Sequence, residues 1–120
     1  MATTIHKYQP TIIWTGNKGS GTTGYNHYGR EYDIMMPGKT TIACSADPTF
    51  LGKPALHNPE DLFVSAIAGC HMLWYLHLCA EAGVIVHTYT VNALGVLEDE
   101  GRTGDQIPAI NLRPIVGVTD

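Results

Sequence analysis

Residues 58–83, NPEDLFVSAIAGCHMLWYLHLCAEAG, constrain the fold of this chain more than any other stretch. Asn58 offers a side-chain acceptor to the first free N–H groups of a helix, and Pro59 suits a position where a missing N–H costs nothing. Glu60 and Asp61 place negative charge at the positive end of the helix dipole. Gly83 supplies the left-handed residue that stops a helix. No Lys, Arg or further Pro lies between these signals. One helix is therefore predicted over residues 59–82, about 35 Å long at 1.5 Å per residue.

Leu62, Phe63, Ala66, Ile67, Leu73, Trp74, Leu76 and Leu78 surround that helix rather than forming a stripe. A helix of this kind is buried by protein on all sides or crosses a bilayer. Residues 62–80 come close to the roughly 20 that a bilayer requires. Ser65, His71, His77 and two cysteines speak against a span, as do the absence of a basic flank and the polar, Gly- and Pro-rich segments on either side. The expectation is a buried central helix in a protein with no membrane partner. A single chain of 120 residues has trouble surrounding so long a helix, and packing two copies together solves the problem, so a homodimer is expected.

The length fits one domain over residues 1–120. Seven Lys and Arg against eleven Asp and Glu, a formal net charge of −4, leave no electrostatic footprint for nucleic acid or an anionic membrane. Residues 1–9 are polar, with His6 and Lys7, and lack the apolar core of a signal peptide. Three cysteines, an odd number at irregular spacing, favour free thiols in a reducing cytoplasm.

Along the chain, residues 11–15 read as a strand and the glycine-rich 16–21 as a turn. That turn lacks the GK[ST] ending and the following apolar helix of a phosphate loop. Residues 25–36 resume strand character, with Tyr28, Arg30, Tyr32 and Ile34 at period two. Pro37-Gly38 turns the chain into a third strand over 40–44. Residues 47–57 read as an ordered loop leading to the helix. After Gly83, the β-branched stretches 84–97 and 107–118 flank a polar turn at 98–105. Three strands, a long helix and a second pair of strands make an α+β fold, with antiparallel sheets packed on the central helix.

Cys70 is the residue of greatest chemical interest. It sits mid-helix behind Ala68-Gly69, where the backbone is thinly covered and a reactant has room to approach. Two readings stand: a buried thiol acting as a small hydrophobe, or a nucleophile with a partner that favours its thiolate. Cys79, nine residues on, is turned about 180° from Cys70 around the helix. The two are too far apart for a disulfide within one helix, and Cys79 reads as a core residue. Cys70 and His77 share a face but stand about 10 Å apart along the axis, too far to hold one ion. With no CxxC and no HExxH, no metal is expected. Glu60 and Asp61 serve the dipole, and Arg30 reads as a solvated strand residue among tyrosines. A buried Arg–Glu pair beside a cysteine would instead stabilise its thiolate.

Asn58-Pro59-Glu60-Asp61-Leu62, followed by Ala68-Gly69-Cys70-His71-Met72 with Cys70 ten residues after Glu60, resembles the OsmC/Ohr family of thiol-dependent peroxidases, in its OsmC-like branch. Tyr28-Gly29-Arg30, Ser45-Ala46-Asp47-Pro48, Phe50-Leu51-Gly52 and Leu112-Arg113-Pro114 add to the likeness, which runs from about Trp14 onward. The resemblance implies an intertwined homodimer whose two long helices are wrapped by sheets. It also implies reduction of organic hydroperoxides at the subunit interface with no metal or organic cofactor. Cys70 would be the peroxidatic thiolate, Arg30 its stabiliser and Glu60 the group that orients Arg30, with Phe63, Leu73 and Trp74 as apolar walls. In the family, a second cysteine on a later helix resolves the sulfenic acid. No cysteine follows Cys79 here. The expectation is either a shortened form of a longer chain or recycling by an external thiol, with Cys44 as a conceivable substitute. The reading from a different class is a non-catalytic dimer of the same fold that binds a small apolar ligand at its interface.

Overall fold

A computed structural model describes residues 3–99 and 105–119 and shows an α+β chain of antiparallel sheets and one long helix. The chain divides into two compact units, Met1–Pro59 and Glu60–Asp120.

In the first unit, β1 (Thr11–Trp14), β2 (Tyr32–Met35) and β3 (Ile42–Cys44) form an antiparallel sheet in that order. The registers place Trp14 opposite Tyr32 and Tyr32 opposite Cys44. Gly38, at φ 74°, gives the turn between β2 and β3 its left-handed residue. The strand expected over 25–36 is much shorter than its alternation suggested. Only Tyr32–Met35 pairs as a strand, because Gly29 hydrogen-bonds to Gly16 and Arg30 to nearby carbonyls instead of continuing an even ladder.

Cys44 and Ser45 are fully buried. The Ser45 N–H donates to the His57 carbonyl at 2.9 Å, and the Ser45 hydroxyl accepts from the Lys53 N–H at 3.1 Å. The loop expected over 47–57 contains a short 3₁₀ helix, Pro48–Phe50, capped by the Asp47 carboxylate, which accepts from the Thr49 N–H at 2.8 Å. That bond holds the Asp47 carboxyl below its ordinary range. At Gly52 a Cβ would collide with the Ala46 carbonyl, so the loop doubles back more tightly than a larger residue permits.

Lys53 ties the same loop to the chain leading into β2 through an ion pair with Glu31 at 3.1 Å. The backbone N–H of Glu31, and then Lys53, hold its carboxyl below the ordinary 4.5. A carboxyl lowered by folding adds stability above its unfolded value and loses it as the pH falls through the folded one. Glu31→Gln is thus expected to lower the melting temperature by no more than a few degrees at pH 7, the scale of a surface ion pair. The gap to wild type should close as the pH drops below about 4.5, which thermal melts at pH 7, 5 and 3 would read.

In the second unit, α1 (Pro59–Glu81) starts at the predicted proline and stops one residue short of the predicted end. Gly83 takes φ 75°. The Val84 N–H donates to the Cys79 carbonyl at 2.8 Å and the Gly83 N–H to the Ala80 carbonyl at 3.3 Å, the paired bonds of a glycine-terminated helix. β4 (Ile85–Gly95) and β7 (Ile110–Thr119) then pair antiparallel, with a bulge between Val86 and Thr88. His87, at the bulge, hydrogen-bonds through Nε2 to the Thr119 hydroxyl. The turn expected at 98–105 is partly a small ladder, β5 (Glu98–Asp99) on β6 (Asp105–Gln106). Residues 100–104 of that turn lie outside the described residues.

The single chain does not bury α1 on all sides. Ala68 is its only buried residue among those described. One side faces β4, where Val64 packs so closely on Gly95 that a Cβ there would meet it at 2.5 Å, and the Tyr75 and Tyr89 rings stand 5.7 Å apart. By length and hydropathy α1 could cross a bilayer. One side of it is covered by the chain's own sheet. The opposite face carries Phe63, Leu73, Trp74 and Leu78 at 52%, 63%, 62% and 59% exposure, a contiguous apolar surface of the kind that marks an interface.

Candidate active site

Cys70 lies on that exposed face. At 100° per residue it is about 200° around the helix from Ala68, the residue turned inward. Its thiol is exposed, not buried as a small hydrophobe. Phe63, Ile67, Cys70 and Trp74, at intervals of four, three and four, share one side of α1. A Cys on such a surface meets any reactant that the surrounding apolar groups admit. Next to it, Leu73, Trp74 and His77 line an open depression of about 240 Å³. The Trp74 and His77 rings meet edge to face at 5.7 Å, and His77 Nε2 stands 3.6 Å from the Glu81 carboxylate.

Glu60 sits in the first turn of the same helix and is half-buried. Ten residues of unbroken α-helix separate it from Cys70, roughly 15 Å along the axis. The two side chains therefore do not meet within one chain. Cys79 faces the sheet side, half-buried, beside Tyr75 one turn back. The hydrogen bond between them pushes the Tyr75 phenol above its ordinary value of 10.0. Nine residues and about half a turn of rotation from Cys70, Cys79 is not placed to attack it. Cys44 is fully buried in the first unit.

Arg30 belongs to the first unit and lies outside the strand. It is half-buried in the segment before β2. Its Nη1 donates to the Tyr28 carbonyl at 2.6 Å and its Nη2 to the Tyr25 carbonyl at 2.7 Å. The guanidinium carbon stands 3.8 Å from the centre of the Tyr28 ring and 4.5 Å from that of Tyr25. Sequence reading noticed tyrosines around Arg30 but missed this cage. The usable signal was the cluster Tyr25-Asn26-His27-Tyr28-Gly29-Arg30 itself, in which two aromatic residues lie within five positions of a cation next to a glycine.

The family model described as OsmC-like protein matches residues 52–120. Among solved structures, an OsmC-like protein of unknown function from Vibrio cholerae O1 biovar eltor is 28% identical in sequence, with a TM-score of 0.83 over 97% of this chain and 77% of the other. No curated protein matches the sequence.

Proposed function

The chain belongs to the OsmC-like protein family, which contains thiol peroxidases, and on that premise we propose that it reduces organic hydroperoxides through a sulfenic acid on Cys70. The observation that carries the proposal is the exposure of Cys70 on an apolar helix face, at the position where the family motif puts its reactive thiol. The Cys70 thiolate attacks the terminal peroxide oxygen, forming an S–O bond as the O–O bond breaks. The alkoxide takes up a proton and leaves as an alcohol, so sulfur loses two electrons and the peroxide gains them. Arg30 stabilises the thiolate and the developing oxyanion, and Glu60 orients Arg30.

A second copy of the chain completes this site. The apolar face of α1 supports a homodimer, and Glu60, about 15 Å from Cys70 along its own helix, acts in this proposal at the partner's thiol. In this proposal an external thiol resolves the sulfenic acid, a reading supported by the full burial of Cys44 and by the place of Cys79 on the sheet side of α1. One thiol attacks the sulfenic sulfur and expels water, and a second attacks the mixed disulfide and releases Cys70. Three free cysteines suit a reducing cytoplasm. No metal or organic cofactor enters these steps.

The depression lined by Leu73, Trp74 and His77 favours a second reading, a non-catalytic dimer that binds a small apolar ligand. Steady-state consumption of cumene hydroperoxide with dithiothreitol separates the two. A peroxidase consumes many equivalents per Cys70. Consumption no faster than by dithiothreitol alone supports the ligand-binding dimer.

A further inference from the structure

We infer that Tyr28, braced by Trp14 and assisted by Tyr25, is a positioning residue that fixes the Arg30 guanidinium for its role at the thiol. The inference rests on the peroxidase reading above. A free arginine side chain samples many rotamers, and its usefulness to a reacting centre depends on how few it keeps. Here two main-chain carbonyls each take one N–H, from Nη1 to Tyr28 at 2.6 Å and from Nη2 to Tyr25 at 2.7 Å. The cation also lies 3.8 Å from the Tyr28 ring centre and 4.5 Å from that of Tyr25, within the range where a ring quadrupole attracts it.

Both kinds of partner are neutral. They hold the guanidinium in place and leave its charge for Glu60 and the thiolate. Among the described residues, the Nε–H and one N–H on each terminal nitrogen are left for an anion. A preorganised cation with spare donors is the arrangement that favours a thiolate and a developing oxyanion.

The cage is itself anchored. The Tyr28 ring meets the Trp14 indole edge to face at 5.9 Å and 81°. Trp14 Nε1 donates to the Gly29 carbonyl at 2.8 Å, which pins the residue between Tyr28 and Arg30. The Gly29 N–H donates to the Gly16 carbonyl at 2.7 Å and the Thr15 N–H to the Glu31 carbonyl at 2.9 Å. These bonds hold the segment after β1 against the segment before β2, outside the regular ladder that ends at Trp14 and Tyr32. Gly16 and Gly29 are buried there, and a Cβ on Gly16 would collide with the Gly29 carbonyl. The close approach of the two segments thus requires a glycine at position 16, and it fixes the carbonyl and ring that hold Arg30.

The test is the pH profile of Cys70 alkylation by iodoacetamide, with the cumene hydroperoxide reaction rate at pH 7, in Tyr28→Leu, Tyr28→Phe and Arg30→Lys. Tyr28→Leu is expected to move the alkylation midpoint up by about half a unit to one unit and to slow the peroxide reaction roughly 5- to 10-fold. Tyr28→Phe keeps the ring and the main-chain carbonyl, and should stay within about twofold of wild type. In an Arg30→Lys background, Tyr28→Leu should add less than about twofold, because the group it positions is gone. Trp14→Phe, a gentler change, should shift the midpoint in the same direction by a smaller amount, and it decides the matter if Tyr28→Leu does not fold. An unmoved profile in folded Tyr28→Leu or Trp14→Phe, with a shifted one in Arg30→Lys, overturns the positioning role and leaves the peroxidase reading intact. Unmoved profile and rate in Arg30→Lys itself remove Arg30 from the site, and this inference falls with it.

Discussion

Under the proposed homodimer, Trp74→Glu is expected to convert a dimer to a monomer and to lower the melting temperature by about 10 °C or more. Within one chain Trp74 is 62% exposed, and a substitution at such a position should change stability by no more than about 0.5 kcal/mol. The dimer makes a different prediction. If the face bearing Phe63, Ile67, Trp74 and Leu78 packs against a second copy, Trp74 is an aromatic anchor at its centre. Such anchors cost about 2–4 kcal/mol when truncated. A glutamate there also forces an unpaired charge out of water, which adds to the loss. Light scattering and calorimetry at one fixed protein concentration check this, since the stability of a dimer depends on concentration. A Trp74→Glu protein that remains dimeric with an unchanged melting temperature would show that something other than this face makes the interface.

Cys70→Ser is expected to abolish peroxide consumption, a loss of about a thousandfold or more, while secondary structure and assembly persist. A serine hydroxyl holds its proton at neutral pH and is a poor nucleophile towards a peroxide oxygen. The side chain is exposed in the single chain, so the exchange leaves no cavity there. Cys79→Ser is the matched control. It sits on the sheet side beside Tyr75, and its effect on the rate should stay within about threefold. A Cys79→Ser protein that lost activity as Cys70→Ser does would show that the chemistry had been assigned to the wrong thiol. Rate measurements on the two variants, with circular dichroism as the check on folding, separate these outcomes.

The parts of this fold that were legible in the sequence are those set by local chemistry. Asn58-Pro59 and Gly83 mark the ends of α1 because caps and left-handed residues act within one turn. The segment 25–36 misled because alternation at Tyr28, Arg30 and Tyr32 is only a local pattern. What ends the strand at Tyr32 is the contact of Gly29 with Gly16, thirteen residues away, and the capture of Arg30 by two carbonyls. From its apolar circumference α1 is expected to need cover on every side. That demand says nothing of who supplies the cover, and the chain's own sheet supplies only one side.

The candidate site divides in the same way. Cys70 and Glu60 stand out through motif spacing on one helix, and the same spacing keeps them about 15 Å apart in that helix. Arg30 could be singled out only by its neighbours. Its half-burial and its tyrosine cage follow from how a glycine-rich loop folds back on β1, a geometry that composition and period do not encode.

The most direct test of the central claim is chemical trapping on the folded protein. Reduced protein is treated with one equivalent of cumene hydroperoxide at neutral pH in the presence of dimedone, and intact mass and peptide mapping locate the adduct. The account predicts rapid loss of the peroxide and a single dimedone adduct on Cys70, absent from Cys70→Ser. Undiminished peroxide with no adduct on Cys70 would contradict it and leave the apolar face of α1 as the surface of a binding protein.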